Sequence, residues 1–434
     1  MSEMTASVIA RRGPAAAGLA RLLLFWAGAV AILLVLPLIF RSGSTLTMLS
    51  LTGIAIIFAL SYNILLGQTG LLSFGHAVYY GFGAYFTVHA INAITKSGLP
   101  VPLPVLPLVG GAAGLAFAII FGWLSTKRSG TAFAMITLGL AELAGSSSLI
   151  LRSFFGGEEG ITTNRTKLPV IFGWNFATQV QVYYLIVFWC LVAGAAMYAL
   201  TRTPFGRICN AVRENHERAA FIGYNPRTIR FIAFCFAGFF GGIAGGLAGI
   251  NFELANAALF SSTQSGLVLL ATFIGGTGYF LGPILGAILV TYLQTALSDF
   301  TDIWQLYFGL LFILTVMFAP GGIAHLIMMH RPLWRAGTVW GLLPSYVLLI
   351  LAILIFIAGG VLSLEIVNHV LAKAQELPTI TFLGFGLNTR DWRVWGLAIA
   401  VTACGLLALR LLSRPLSAAW DRAYRATQAV RPLP

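Results

Sequence analysis

The chain has 434 residues, 9% of them charged and 58% hydrophobic, with a mean hydropathy of +0.89. An average soluble protein carries roughly 25% charged residues, so a water-soluble globule of this size, which needs that charge to cover its surface, is excluded. The net charge of +13 sits in short loops between apolar runs, where it sets topology, and no nucleic-acid partner is expected.

A membrane-crossing helix takes about 20 apolar residues. Arg11, Arg12 and Arg21 precede the first such run, 22–40, which ends at Arg41 without a small-residue cleavage pattern and reads as an uncleaved helix. Further runs predict spans at 45–66, 70–94, 103–125, 132–151 and 180–200, then at 231–250, 254–275, 279–298 and 304–320, and finally at 341–363 and 394–412. The expected fold is an all-α polytopic integral membrane protein of about 12 transmembrane helices, about 10 in a core and 2 in a C-terminal extension. The polar start of 254–275 leaves a re-entrant or broken helix open there.

With the N-terminus inside, even-numbered helices return the chain to the cytoplasm. The inside segments are then 1–21, 126–130, 201–230, 321–340 and 413–434; with Arg410 they hold 18 of the 26 Lys and Arg. That bias is what the positive-inside rule requires, and it places both termini in the cytoplasm. By character the chain divides into a segment 1–21, a glycine-rich core 22–330, and a plainer two-helix unit 331–434 around an outside segment 364–393. The cysteines Cys190, Cys209, Cys235 and Cys404 show no metal-type spacing.

The segment 201–230, TRTPFGRICNAVRENHERAAFIGYNPRTIR, carries six arginines, more than topology needs. Thr203-Pro204 makes a helix start, and Gly223 with Asn225-Pro226 makes a stop. Arg213–Glu217 and Glu214–Arg218 stand at i,i+4 spacing within it. A short charged amphipathic helix on the cytoplasmic face is predicted, suited to docking a partner whose push it passes to the flanking spans; a solvated loop is the alternative.

The run Glu217-Arg218-Ala219-Ala220-Phe221-Ile222-Gly223 is similar to the E-A-A-x-x-x-G cytoplasmic loop of ABC importer permeases. The longer stretch FGRICNAVRENHERAAFIGYNPRTIRFIAF resembles the LivM-type permeases of branched-chain amino-acid importers. Blocks in the family's order extend the likeness over about 45–325: Asn63 to His76 (NILLGQTGLLSFGH), Gly83-Ala84-Tyr85, Ile136 to Gly139 with Glu142, Gly156 to Gly160, Gly275 to Gly278, Gly282-Pro283, and Ala319 to Gly322. The two C-terminal helices depart from it. The resemblance implies a non-enzymatic subunit of a bacterial inner membrane, paired with a second related permease, two ATP-binding subunits and a periplasmic substrate-binding protein. It makes 205–221 the coupling helix, with Phe205, Gly206, Arg207, Arg213, Glu214, Asn215, Glu217, Arg218, Ala219, Ala220 and Gly223 at the ATPase surface. The chain has no GxxxxGK[ST] phosphate loop, so ATP and Mg²⁺ belong to the partner ATPases and no cofactor is expected in this chain.

Polar groups at membrane depth are costly and point to function. Asn63, Gln68, Thr69, Ser73 and His76 surround the turn Gly67–Gly70, and either line the translocation pathway or its gate, or tie down a tight turn. Thr137 and Glu142 of the 132–151 span are candidates for the same pathway; Glu142 is expected to face other helices or water, or to accept a hydrogen bond from Ser146. His76 lacks a second ligand at metal spacing. Glu253 is expected to reach water at an outer helix end, and Gly156–Gly160 to lie outside, as a turn or against the binding protein. Gly238, Gly242 and Gly246, with Gly241, Gly245 and Gly249, form two small-xxx-small ladders for close packing on adjoining faces. The leading expectation is import of branched-chain or related hydrophobic amino acids. Urea or short amides are the alternative cargo, and a proton-coupled secondary transporter using Glu142 and His76, or a membrane scaffold, are the alternative classes.

Overall fold

In a computed structural model, residues 14–170, 173–372, 379–382, 385–389 and 391–430 are described. The helices run α1 (Pro14–Ile39), α2 (Gly43–Thr69), α3 (Ala77–Ser97), α4 (Pro107–Ser125), α5 (Thr131–Ile150), a one-turn α6 (Arg152–Phe155) and α7 (Gln179–Arg202). Next come α8 (Pro204–Glu214), α9 (His216–Phe221), α10 (Pro226–Phe252), α11 (Ser262–Gly275), α12 (Leu281–Phe300), α13 (Trp304–Phe318) and α14 (Gly322–Ala336), then α15 (Leu343–Ala372) and α16 (Trp392–Val430). Short antiparallel strands β1 (Ile161–Thr162) and β2 (Leu254–Ala255) pair with one another, as do β3 (Thr379–Phe382) and β4 (Phe385–Asn388).

Each expected span overlaps a helix, 254–275 only over its second half, and the fold is an all-α polytopic membrane protein. The count of twelve is not reproduced by length and apolarity: among the described residues eight helices qualify, or nine if α13 and its continuation form one broken span. α3 is long but carries Tyr79, Tyr80, His89 and Asn92, which its buried position tolerates. The expected span 254–275 is not one helix. It begins with β2, passes a 3-10 turn at Ala257–Phe260 and ends in α11, whose 14 residues reach only about 21 Å against a core of about 30 Å. The expected outside segment 364–393 begins helically, because α15 continues to Ala372.

The chain folds as two units, Met1–His325 and Leu326–Pro434. In the first, α2 and α10 are the most buried spans and form the core with α3, α4, α7 and α12. Their ends are set locally. Ser42 caps α2 by accepting from the Thr45 N–H (3.3 Å), and Gly70 closes it in the left-handed conformation (φ 71°), donating to the Leu65 and Leu66 carbonyls. Asn225 caps α10, accepting from Arg227 N (3.0 Å) and Thr228 N (3.4 Å), with Pro226 at the first helical position. In the second unit α15 and α16 pack along one another, with Gly359 against Thr402 and Gly405 against Phe356. His330 Nε2 there meets the Tyr346 hydroxyl at 2.7 Å.

Candidate functional site

The arginine loop folds as two short helices rather than the single helix expected over 205–221. Thr203 Oγ1 accepts from the Gly206 N–H (3.4 Å) to start α8. Asn215 then leaves helical geometry (φ −156°, ψ 102°), and its side chain accepts from the Arg218 N–H (2.8 Å) to start α9. The break takes Arg213–Glu217 and Glu214–Arg218 out of i,i+4 register, and among the described residues these four form no ion pair with one another. Gly206, Cys209, Val212 and Ala219 are buried, and Phe205 packs on Phe236 with ring centroids 5.9 Å apart. Arg207, Arg213, Glu214, Asn215, Glu217, Arg218, Ala220 and Gly223 are exposed. At the tip, Phe221 is 90% and Ile222 65% exposed. Gly223 (φ 95°) turns the chain there toward Asn225 and α10.

Arg213 bends back and donates from Nη1 to the carbonyl of Gly67 in the last turn of α2. That turn ends in carbonyls without helical partners and in the negative end of the helix dipole, so a guanidinium satisfies both. The loop is thereby fastened to the helix that leads into the polar residues 63–76.

Those residues are gathered around the irregular segment 70–76 between α2 and α3, longer than the turn Gly67–Gly70 predicted. Thr69 Oγ1 donates to the Leu65 carbonyl (2.7 Å), and the Gly75 N–H donates to Ser73 Oγ (3.3 Å). The Tyr62 hydroxyl donates to the Ser73 carbonyl (2.8 Å) and accepts from its N–H (3.2 Å). Thr137 of α5 accepts from the Phe74 N–H (3.2 Å), and a Cβ at Gly75 would fall on the Thr137 carbonyl. His76 Nε2 lies 2.9 Å from Ser61 Oγ, and its ring stacks on Phe58 at 5.3 Å. So part of the cluster does hold a turn. Yet among the described residues Asn63 Oδ1, Gln68 Oε1 and His76 Nδ1 are buried without a partner. Each such atom costs about 1–3 kcal/mol, a burden native structures keep where polar groups serve function.

Glu142 does not join this cluster. It lies on the exposed face of α5, away from the buried Thr137, and among the described residues it has neither the expected bond from Ser146 nor a helix packed over it. The α10 glycines divide between two neighbours. A Cβ at Gly238, Gly242 or Gly246 would meet Ala118, the Gly110 carbonyl or Thr87, toward α4 and the facing side of α3. Gly241 lies against His76, Gly245 against the Tyr80 carbonyl, and Gly249 against Ala84 and Val88.

Residues 44–320 match the family described as branched-chain amino acid transport system, permease component. The chain belongs to this family. It is 28% identical over 314 residues to the high-affinity branched-chain amino acid transport permease LivM of Escherichia coli K12, covering 67% of this chain and 72% of that one. It is 25% identical over 281 residues to BraD of Pseudomonas aeruginosa, 61% of this chain and 89% of that one, and 24% identical over 293 residues to E. coli LivH. The autoinducer 2 import permease LsrC of Yersinia enterocolitica is 28% identical over 281 residues, 60% of this chain and 67% of that one. These relatives are transport permeases rather than enzymes. No solved structure matches the chain.

At the other end of α10 the permease holds a second built feature, which sequence reading missed. Arg165 is nearly buried and donates from Nε to the Phe176 carbonyl (2.8 Å) and from Nη1 to the carbonyls of Ile250 (3.0 Å) and Asn251 (3.1 Å). Its N–H donates to Glu253 Oε1 (2.8 Å), and the two side chains pair at 3.8 Å. Glu253 therefore does more than reach water: it closes α10 at φ 54° and anchors the loop 161–168. Gly156, Gly157 and Gly160, all at positive φ, turn the chain into β1.

Proposed function

We propose that this permease is the translocating subunit of an ABC importer for branched-chain or similar hydrophobic amino acids in a bacterial inner membrane, with both termini cytoplasmic. A second related permease completes the membrane channel, two ATP-binding subunits with ATP and Mg²⁺ drive it, and a periplasmic binding protein delivers cargo. The chain itself carries no cofactor. One observation carries this reading: Phe221 and Ile222, beside the exposed Glu217 and Arg218 of α9, stand exposed on a capped loop outside the spans. Exposed apolar side chains ringed by charge mark a docking surface. A partner that fills it moves α8 and α9, and the loop passes that motion to α2 through Arg213 and to α10 through Asn225. The Asn63–His76 cluster, with Thr137, serves as the gate on the cytoplasmic side. Family membership supports the transport class, and the LivM, BraD and LivH names support the cargo.

The test is co-purification and uptake with the doubly substituted loop, Arg218→Glu with Phe221→Asp, both at exposed positions. Loss of the ATPase subunits from the purified complex, together with loss of ATP-dependent leucine uptake in vesicles, is the expected result. Uptake that persists in vesicles containing no ATPase subunit overturns the proposal.

A further inference from the structure

A cavity of about 330 Å³ opens between α2, α11 and α12, with Tyr80 of α3 at its side. Its two long walls differ in chemistry. From α2 come Leu51, Ile54 and Phe58, an apolar stripe at helical spacing. From α12 come Thr291, Gln294, Thr295 and Ser298, a polar stripe at the same spacing. Each stripe spans eight residues, seven steps along the helix, so the walls run alongside one another for about 10 Å. Phe58 also packs on Tyr80 (4.7 Å) and stacks on His76, so it divides the cavity from the polar cluster below.

Three groups at this cavity lack partners. Only Tyr80 is buried (95%); among the described residues its hydroxyl has no hydrogen bond, and neither do the side-chain amides of the half-buried Gln264 and Gln294. Buried polar groups are normally paired. Here they face an open space at the small end of the range for ligand pockets, which runs from about 300 to 1,000 Å³. No charged side chain lines it.

We infer that this slot is the passage site for one apolar α-amino acid, with the ammonium and carboxylate on the α12 wall and the side chain on the α2 wall. The inference rests on the transport reading above. Neutral amides and hydroxyls hydrogen-bond both charged ends of the amino acid without holding either by an ion pair. That grip is weak and spread over several sites, which lets the cargo leave as well as enter. A charged side chain on the cargo would meet Ile54 and Phe58 and be buried unpaired, so it is rejected.

The experiment compares leucine with valine, one methylene smaller, in the permease reconstituted with its partner subunits in vesicles. Ala55→Leu narrows the α2 wall. It lowers leucine uptake about tenfold relative to valine, the usual worth of one methylene in a fitted apolar site. Thr291→Val with Gln294→Leu keeps the volume of the other wall but removes its polarity, and lowers uptake of both amino acids about tenfold or more. An unchanged leucine-to-valine ratio in Ala55→Leu overturns the slot. So does a wild-type rate for the α12 double variant, which decides the matter if Ala55→Leu fails to assemble. An assembled wild-type complex that takes up neither amino acid overturns the transport reading itself, a result distinct from either of these.

Discussion

Replacing Arg165 by Met tests how the far end of α10 is held. The guanidinium is nearly buried and makes three bonds to main-chain carbonyls, two of them at the open C-terminal turn of α10. Methionine fills similar space and leaves those carbonyls unpaired. Removing one member of a buried charged network costs about 3–5 kcal/mol, well below the sum of its bonds because such terms are not additive. The Glu253 side chain is 35% exposed, so water takes over its carboxylate and the ion pair itself is worth about 0–1 kcal/mol. Glu253→Gln keeps an acceptor for the Arg165 N–H and is therefore expected to be mild. In detergent, followed by tryptophan fluorescence with Trp174 beside Phe176 as the local reporter, Arg165→Met melts roughly 3–6 °C below wild type. Glu253→Gln falls by no more than about 2 °C. If the two variants melt alike, or if Arg165→Met stays within about 1 °C of wild type, carbonyl capping is not what holds this end.

Gly245→Ala places a Cβ on the Tyr80 carbonyl and separates α10 from α3, costing about 1–3 kcal/mol, whereas Gly139→Ala meets nothing and leaves the melting temperature of the isolated chain unchanged or slightly raised. Arg213→Met keeps the ATPase subunits bound but removes a charged donor from the Gly67 carbonyl; about 1.5 kcal/mol of lost coupling lowers uptake per ATP roughly tenfold, and an unchanged ratio refutes the link. Burial pushes the Cys209 thiol up to about 12, so the neutral form persists as pH rises and only roughly one molecule in 10⁴ is a thiolate at pH 8. Maleimide should therefore spare Cys209 through pH 9 in the folded permease and modify it once the chain is unfolded; rapid labelling of Cys209 below that pH in the folded permease would show the loop to be open. Because the unfolded thiol ionises first, this group favours unfolding as pH climbs past about 9.

Apolar runs long enough to cross a bilayer are a local property, and the helices they predict are present apart from 254–275, where only the second half is helical. Capping is local too, which is why Thr203-Pro204 marked a true helix start, whereas Asn225-Pro226, read as a stop, is the cap and first residue of α10. Asn215 shows the limit. In a charged helical run it passes for a solvated interior residue, yet its side chain captures the Arg218 N–H and begins a new helix. Nothing within a helical turn reveals which use a sequence makes of such a residue. Arg165 and Glu253 stand far apart in the chain, and the walls of the slot come from segments near 55 and 295; no periodicity links them. The region 63–76 was legible as unusual because polar groups at depth are rare, but its sorting into bonded and unpartnered atoms required the fold.

The same geometry decides how a push on the loop is distributed. One anchor of the loop is Arg213 on the end of α2; the other is the Asn225 cap from which α10 begins. Phe221 and Ile222 lie between these anchors in sequence, so a partner seated on them bears on both helices. Both helices also touch His76, α2 through Ser61 and Phe58 and α10 through Gly241. Packed interiors do not deform continuously, so a paired displacement of α2 and α10 must either carry His76 with it or break the Ser61 contact. Phe58 rides on that ring and floors the slot. A shift at the loop thus reaches the slot through one aromatic stack.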